Sequence, residues 1–266
     1  MFSELHALSP LALALVGTAL GLIVGSFISM LSYRLPKVVL EEASVSELLL
    51  KKGRSHCPQC DAPLPWYRLI PLLSWLASAG KCHQCKAPIS KRYPLIELFS
   101  ALSTAYILWH FGFSEKGMAA LIFNWFLLTI SVIDIEHQLI LDVLSLPLLW
   151  IGLLINTQGL FTSPESAIWG AAMGYLILWL LFQSFKTLTG KEGMGYGDFK
   201  LLAALGAWFG FDALPLIILI AALGTIVSGL LGGLLRIRSL NEPIPFGPFL
   251  ALGGWIFLFF GNILSV

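Results

Sequence analysis

Long apolar runs recur through most of this 266-residue chain and limit its possible folds more than any other feature. A helix needs about 20 mostly apolar residues to cross the hydrocarbon core of a bilayer. Candidate segments begin near residues 10, 95, 117, 143, 167, 199, 213 and 244. With hydrophobic residues at 57% and charged residues at only 12%, the chain belongs with polytopic membrane proteins rather than large soluble domains. The fold class expected is an all-α integral membrane protein of about eight transmembrane helices.

The sixth segment, "FKLLAALGAWFGF", is short for a span, and seven spans would put the termini on opposite sides. Lys and Arg provide an independent test of the count. With eight spans and the N-terminus outside, residues 34–94 are cytoplasmic and carry ten of the sixteen basic residues. The later inside loops hold Lys186, Lys191, Lys200, Arg236 and Arg238, and only Lys116 falls outside. This is a strong positive-inside distribution, so both termini are placed in the periplasm. The opening stretch "MFSELHALSPLALALVGTALGLIVGSF" lacks a basic n-region and is too long for a cleavable signal, so it reads as a retained first span. Topology accounts for the basic residues, and the net charge of +1 gives no reason to expect a nucleic-acid partner.

Small residues in "GAAMG" (from Gly170) and "GLLGG" (from Gly229) should let helices approach closely in lipid. "PIPFGPFLALGG", from Pro243, reads as a turn-rich lead-in to the last span. No internal repeat or low-complexity tract stands out. The chain divides into a first span (1–33), a cytoplasmic segment (34–94) and a core of about seven spans (95–266).

Within residues 34–94, "EEASVSELLLKKG" could form a short amphipathic helix, acidic at its start and basic at its end. Further on, Cys57-Pro-Gln-Cys60 is followed after 21 residues by Cys82-His-Gln-Cys85. Two Cys-x-x-Cys knuckles at this spacing read as a four-thiolate zinc ribbon, one Zn2+ per chain. Paired disulfides or redox dithiols are the alternative, disfavoured by a cytoplasmic location. Four sulfurs close the coordination sphere, so this zinc would be structural rather than catalytic. His56 and His83 border the knuckles and could replace a cysteine, but they read more naturally as solvated or outer partners. Between the knuckles, "WYRLIPLLSWL" is apolar enough to lie against the bilayer surface.

Two acids stand out against this apolar background. "GKEGMGYGDFKLL", residues 190–202, leads through Gly193, Gly195 and Gly197 into Asp198 at the cytoplasmic start of the sixth span. "SVIDIEHQLILD" places Asp134 at the cytoplasmic end of the third. Ionisable groups in membrane segments are costly and are functional candidates by default. Singly, Asp198 could be a helix N-cap, and Asp134 could end its span in water. As a pair at one membrane depth they suit aspartyl proteolysis, in which one carboxyl activates water and the other donates a proton. The glycines would give the backbone unusual dihedrals and let a peptide pass close by. Gly195, Gly197 and Lys200 are assigned to the supporting active-site loop. Asp142 reads as a cap on the fourth span, Glu136 and His137 as solvated, and Glu97 as facing a polar partner in the bundle. The anchors of serine hydrolases, zinc proteases and nucleotide-binding folds are missing from the sequence.

The ordered set "GSFISMLSYRLP", "CPQC", "CHQC", "SKRYPLIEL", "IDIEHQLILD", "GMGYGDFKLLAALG" and "PFGPFLALGG" resembles the bacterial type IV prepilin peptidases. These are the leader peptidase/N-methyltransferases of type IV pilus and type II secretion systems, aspartic proteases of the GxGD type. The resemblance implies that Asp134 and Asp198 are the catalytic pair, and that Cys57, Cys60, Cys82 and Cys85 hold zinc. It implies cleavage of prepilin and pseudopilin leaders after a glycine, at the cytoplasmic face of the bacterial inner membrane. It also implies methylation of the new N-terminus with S-adenosylmethionine, whose binding residues the sequence does not reveal. Two positions depart from the family pattern: Ser29, where asparagine is common, and Leu141, where proline is common. The rival readings are an ion- or proton-coupled transporter with a regulatory zinc ribbon, and a structural scaffold of the secretion apparatus. A transport pathway would spread its acids through the membrane depth, whereas these gather at one edge.

Overall fold

The computed structural model describes residues 9–40, 56–57, 59–191, 193–235 and 243–264. Among the described residues the regular elements are helices, apart from two isolated β-bridges. They are α1 (Pro10–Leu40), α2 (Leu73–Ala77), α3 (Arg92–Phe111), α4 (Glu115–His137), α5 (Asp142–Asn156), α6 (Pro164–Thr189), α7 (Tyr196–Phe209), α8 (Leu214–Leu234) and α9 (Gly247–Leu264). Apart from the five-residue α2, these helices coincide with the eight apolar segments. Among the described residues four stretches are long and apolar enough to cross a membrane unaided: Pro10–Leu40, Glu115–His137, Pro164–Thr189 and Phe211–Leu234. Asp142–Asn156 and Gly247–Gly261 are apolar but shorter. The chain is a multi-pass membrane protein. The amphipathic "EEASVSELLLKKG" segment lies outside the described residues.

Local chemistry sets the helix ends. Ser163 precedes Pro164 and accepts the Ser166 N–H, while Gly190 ends α6 in the left-handed region at φ 72°. Ser114 caps α4 by accepting the Gly117 N–H at 3.0 Å. Gly210, at φ 85°, turns the chain from α7 through a 3-10 turn at Phe211–Ala213 into α8.

The chain forms two compact units, residues 1–125 and 126–266, with the boundary inside α4. In the first unit α1 packs along α3 through a stripe of glycines. A Cβ on Gly17, Gly21 or Gly25 would come within 2.5–2.8 Å of the α3 backbone, so only glycine permits this approach. In the second unit α7 is the buried centre, flanked by α5 and α6, and α8 packs on α9. Gly170 and Gly174 meet the α7 backbone at Gly206 and Leu202, as small residues should. The "GLLGG" expectation fares less well, since Gly229 meets only the tip of the Ile244 side chain. Residues 201–210 are buried throughout. At 14 residues α7 extends about 21 Å, short of the hydrocarbon thickness, but its neighbours shield it from lipid.

Candidate active site and candidate metal centre

The two Cys-x-x-Cys knuckles fold alike. Cys57 N–H donates to Ala62 O at 3.0 Å and Asp61 N–H returns to Cys57 O at 2.9 Å. Cys82 N–H likewise donates to Ala87 O at 2.8 Å, and Lys86 N–H to Cys82 O at 3.0 Å. Asp61 and Lys86 both have positive φ, at 55° and 59°, and the bridges His56–Pro63 and Lys81–Pro88 close each turn. The sequence carries this symmetry as "CPQCDAP" and "CHQCKAP". This is a short internal repeat, contrary to the expectation of none; it is inconspicuous because only five of seven positions are identical.

The four Sγ atoms lie within 4.8 Å of one another, and Cys57 Sγ to Cys85 Sγ is 3.8 Å. A tetrahedral zinc with bonds of about 2.3 Å separates its sulfurs by about 3.8 Å, so the cluster fits the ion. Backbone N–H groups of Cys85 and Gln84 lower the Cys82 thiol to about 6. The Ala62 N–H pulls Cys60 the same way, but desolvation and the three neighbouring sulfurs push it up to about 11. Sulfurs this crowded need a cation among them before all four can ionise. His56 Nε2 lies 3.7 Å from Asp61 Oδ1, and His83 is exposed; neither joins the cluster. Between the knuckles Leu69, Leu73 and Leu76 are exposed, while the Leu72 N–H donates to the buried Glu97 carboxylate at 2.8 Å. The polar partner expected for Glu97 in the bundle is Ser26 of α1, and the Leu72 backbone is a second.

In the second unit Asp134 lies in the last turn of α4 and Asp198 in the first turn of α7. Both are buried, with only 5% and 8% of their surfaces exposed, and Asp198 feels the charge of Asp134 directly. Neither isolated reading survives. Gly195 is the N-cap of α7, which leaves Asp198 as its third residue. Asp134 does not end its span in water: its Oδ2 accepts the Gly247 N–H at 2.9 Å, from the first residue of α9. The turn-rich lead-in to the last span therefore supplies a donor to the site, a role its sequence did not disclose. Its signal was a Gly-Pro pair opening a helix, where backbone donors lack partners.

The glycines act differently from expectation. Gly195 has ordinary extended dihedrals (φ −81°, ψ 149°), and neither Gly193 nor Gly197 has positive φ. Unusual dihedrals are therefore not what this run supplies. At one position it leaves room for a neighbouring side chain of the same chain. A Cβ on Gly197 would come 2.6 Å from Ile140 Cβ, and one on Gly247 would come 2.7 Å from Asp134 Oδ2 and 3.0 Å from Ile140 Cδ1. Ile140 thus packs against both glycines that flank the acids.

Asp142 is not the cap of α5: the N-cap is Leu141, and Asp142 is the first helical residue. Its carboxylate grips Lys200 Nζ at 2.6 and 2.7 Å, tying the start of α5 to α7. Lys200 belongs to helix α7 rather than to a loop. Asn156 ties the far ends of α5 and α7: its Nδ2 donates to Ala207 O and Trp208 O at 2.8 and 2.9 Å. Trp208 Nε1 donates to Leu148 O at 2.8 Å, and its ring lies where a Gly152 Cβ would be. Glu136 and His137 are exposed, as read from the sequence.

Residues 19–111 match the bacterial Peptidase A24 N-terminal domain, and residues 121–230 match the type IV leader peptidase family. The chain is 49% identical over 279 residues to a prepilin leader peptidase/N-methyltransferase of Stutzerimonas stutzeri, covering 98% of this chain and 96% of that one. The chain belongs to the prepilin leader peptidase/N-methyltransferase family. Proteins of that name from Pseudomonas aeruginosa and Aeromonas hydrophila are 48% and 45% identical. Those matches cover 96% and 92% of this chain and 93% and 89% of theirs. No solved structure matches the chain. In this prepilin peptidase family member, Ser29 offers its carbonyl to Arg92 Nη1 at 3.0 Å, while Ser32 Oγ accepts from Nη2 at 2.7 Å. The first departure from the family pattern thus sits where α1 is pinned to α3.

Proposed function

We propose that this protein is a membrane-embedded aspartic endopeptidase that removes the leader of type IV prepilins and pseudopilins and then N-methylates the new N-terminus. The observation that carries the cleavage reading is the pair of buried carboxylates, Asp134 and Asp198, set at helix ends with Ile140 packed against the glycine beside each. Buried carboxylates within an apolar bundle are expensive without a task.

With one proton shared between them, the ionised carboxylate takes a proton from water as the oxygen attacks the scissile carbonyl carbon. The protonated partner hydrogen-bonds the carbonyl oxygen as it gains charge. Collapse breaks the C–N bond, and a carboxyl proton passes to the leaving amine. The products are a leader ending in a carboxylate and a substrate helix with a free α-amine. The Gly247 N–H fixes the plane of the Asp134 carboxylate, and the contacts of Ile140 with Gly197 and Gly247 set its approach to Asp198. Gly195 closes the start of α7 as its N-cap.

Cys57, Cys60, Cys82 and Cys85 would hold one structural Zn2+, which cross-links two turns that have little core of their own. The new α-amine is the acceptor for a methyl group from S-adenosylmethionine. The cavity of about 460 Å³ lined by Ser163, Glu165, Ser166, Trp169, Met173, Phe211 and Asp212 lies beyond the end of α7 remote from Asp198, and it is not assigned to either reaction. The distribution of basic residues supports a cytoplasmic zinc lobe within residues 34–94, a protease core in residues 95–266 and periplasmic termini in the bacterial inner membrane. The testing experiment is incubation of the purified protein with a prepilin and S-adenosylmethionine, read by mass spectrometry. Loss of the leader followed by a 14 Da gain on the mature chain (about one methyl replacing one hydrogen) is expected. An intact prepilin would contradict the reading.

A further inference from the structure

Asp142 and Lys200 lie outside the reaction as described, yet they form a two-oxygen ion pair, with Nζ 2.6 and 2.7 Å from the carboxylate oxygens. Each belongs to a segment that also carries or follows a catalytic aspartate. Asp142 opens α5, just past the short connection from the last turn of α4, which bears Asp134, and Lys200 stands two residues beyond Asp198 on α7. Helix geometry rotates successive residues by about 100°, so Lys200 and Asp198 project on nearly opposite sides of α7. Lys200 therefore does not point at the reacting atoms.

Three further contacts show how far this connection is engaged. Gln138, at φ 53°, donates Nε2 to Pro243 O at 2.8 Å, next to the segment that delivers Gly247. Ile140 fills the space in front of Gly197 and Gly247. At the other end of the same helix pair, Asn156 and Trp208 lock α5 to α7. Helix α7 is thus held to α5 at both ends, and at the end bearing Asp198 the hold is the Asp142–Lys200 pair. On its other side Phe199, next to Asp198, packs against Tyr175 and Phe182 of α6. The ion pair adds the tie to α5, which sets the rotation of α7 against the segment that follows Asp134.

We infer that Asp142 and Lys200 are positioning residues, and that their ion pair sets the placement of Asp198 against Asp134. The inference rests on the dyad assignment above. Lys200 is 28% and Asp142 56% exposed, so the pair adds little to global stability. Its effect should fall on turnover, because displacement of reacting groups by about 1 Å costs up to roughly 100-fold.

The experiment compares Asp142→Asn, Lys200→Met, the double variant, the charge swap Asp142→Lys/Lys200→Asp and the conservative Asp142→Glu, all as full chains in lipid. Kinetics of prepilin cleavage and thermal midpoint are measured for each, with Asp134→Asn and Asp198→Asn alongside. Each single neutralisation should lower kcat about 10- to 100-fold with KM within about twofold. The double should be no worse than either single, and the swap and Asp142→Glu should recover most of the loss at an unchanged thermal midpoint. Near-normal kcat in the singles, or a loss that tracks the thermal midpoint without rescue, overturns the positioning role. If that happens while both dyad variants are inactive, the dyad reading stands and this inference alone fails. Activity in a dyad variant would overturn both.

Discussion

Cys57 and Cys85 are 28 residues apart, and the turns that bring their sulfurs together are closed within residues 56–88. Asp134 and the Gly247 N–H that orients it are 113 residues apart, and Asp198 comes from a third segment. The first centre is assembled by two turns of nearly the same sequence, each closed by its own backbone hydrogen bonds. The second exists only after α4, α5, α7 and α9 have packed. A local centre can be made stable by its ion, whereas a dispersed centre inherits its geometry from the bundle. Disturbing the two should therefore have different consequences, and the following variants press on that difference.

The largest effect should come from the acids. Asp134→Asn keeps volume and hydrogen-bonding reach but cannot exchange a proton as a carboxyl does. General acid–base assistance contributes about 10²- to 10⁴-fold, and loss of one dyad member should forfeit at least that. Adding Asp198→Asn should cost little more, since residues acting as one unit are non-additive. Additive losses in initial rates would break the pairing.

Next come the two glycines at the acids. Gly197→Val would drive a side chain into Ile140, and Gly247→Ala would push a methyl group against the Asp134 carboxylate. Each should reduce cleavage about 10- to 100-fold while the protein remains membrane-inserted. Gly195→Ala is the control: an added Cβ comes no closer than 3.7 Å to Asp198 Oδ2 and needs no unusual φ. It should cost up to about 1 kcal/mol through the weaker N-cap, with cleavage nearly intact in the same assay.

The metal lobe should respond most mildly in catalysis and most sharply in metal content. Cys57→Ser or Cys82→Ser should lose zinc and open residues 56–89 to hydrogen exchange, leaving dyad chemistry to suffer only through substrate docking. Zinc affinity should also fall by at least about tenfold per pH unit on acidification. The sign follows from Cys60: with its thiol pushed up to about 11, it must give up a proton to bind metal at neutral pH. Competition against a chelator at pH 7.5 and 6.5 checks this, and a pH-independent affinity would contradict a thiolate site.

What could be read in the sequence follows the same division. Cysteine spacing reveals a local site directly, and the knuckles fold as their pattern implied. The two acids were legible because carboxylates are conspicuous among apolar residues, and helix order brought them to one end. Their supports were not. Gly247 acts through a backbone N–H, Asn156 through an amide among many polar residues at helix ends, and Ile140 by shape alone. Asp142 at a helix start looks like a cap until a lysine 58 residues away is seen to hold it. The glycine run suggested backbone freedom, but only packing could show that Gly197 is needed for the room it leaves.

The central claim is that cleavage belongs to the carboxylates while the cysteine cluster serves structure. The measurement that tests it most directly is made on Asp198→Asn, purified in lipid at the same verified protein level as the unaltered chain. Zinc content and prepilin leader cleavage are read from one sample. About one zinc per chain should remain, with cleavage lowered by more than about 100-fold. Turnover within a few-fold of the unaltered protein would contradict the account.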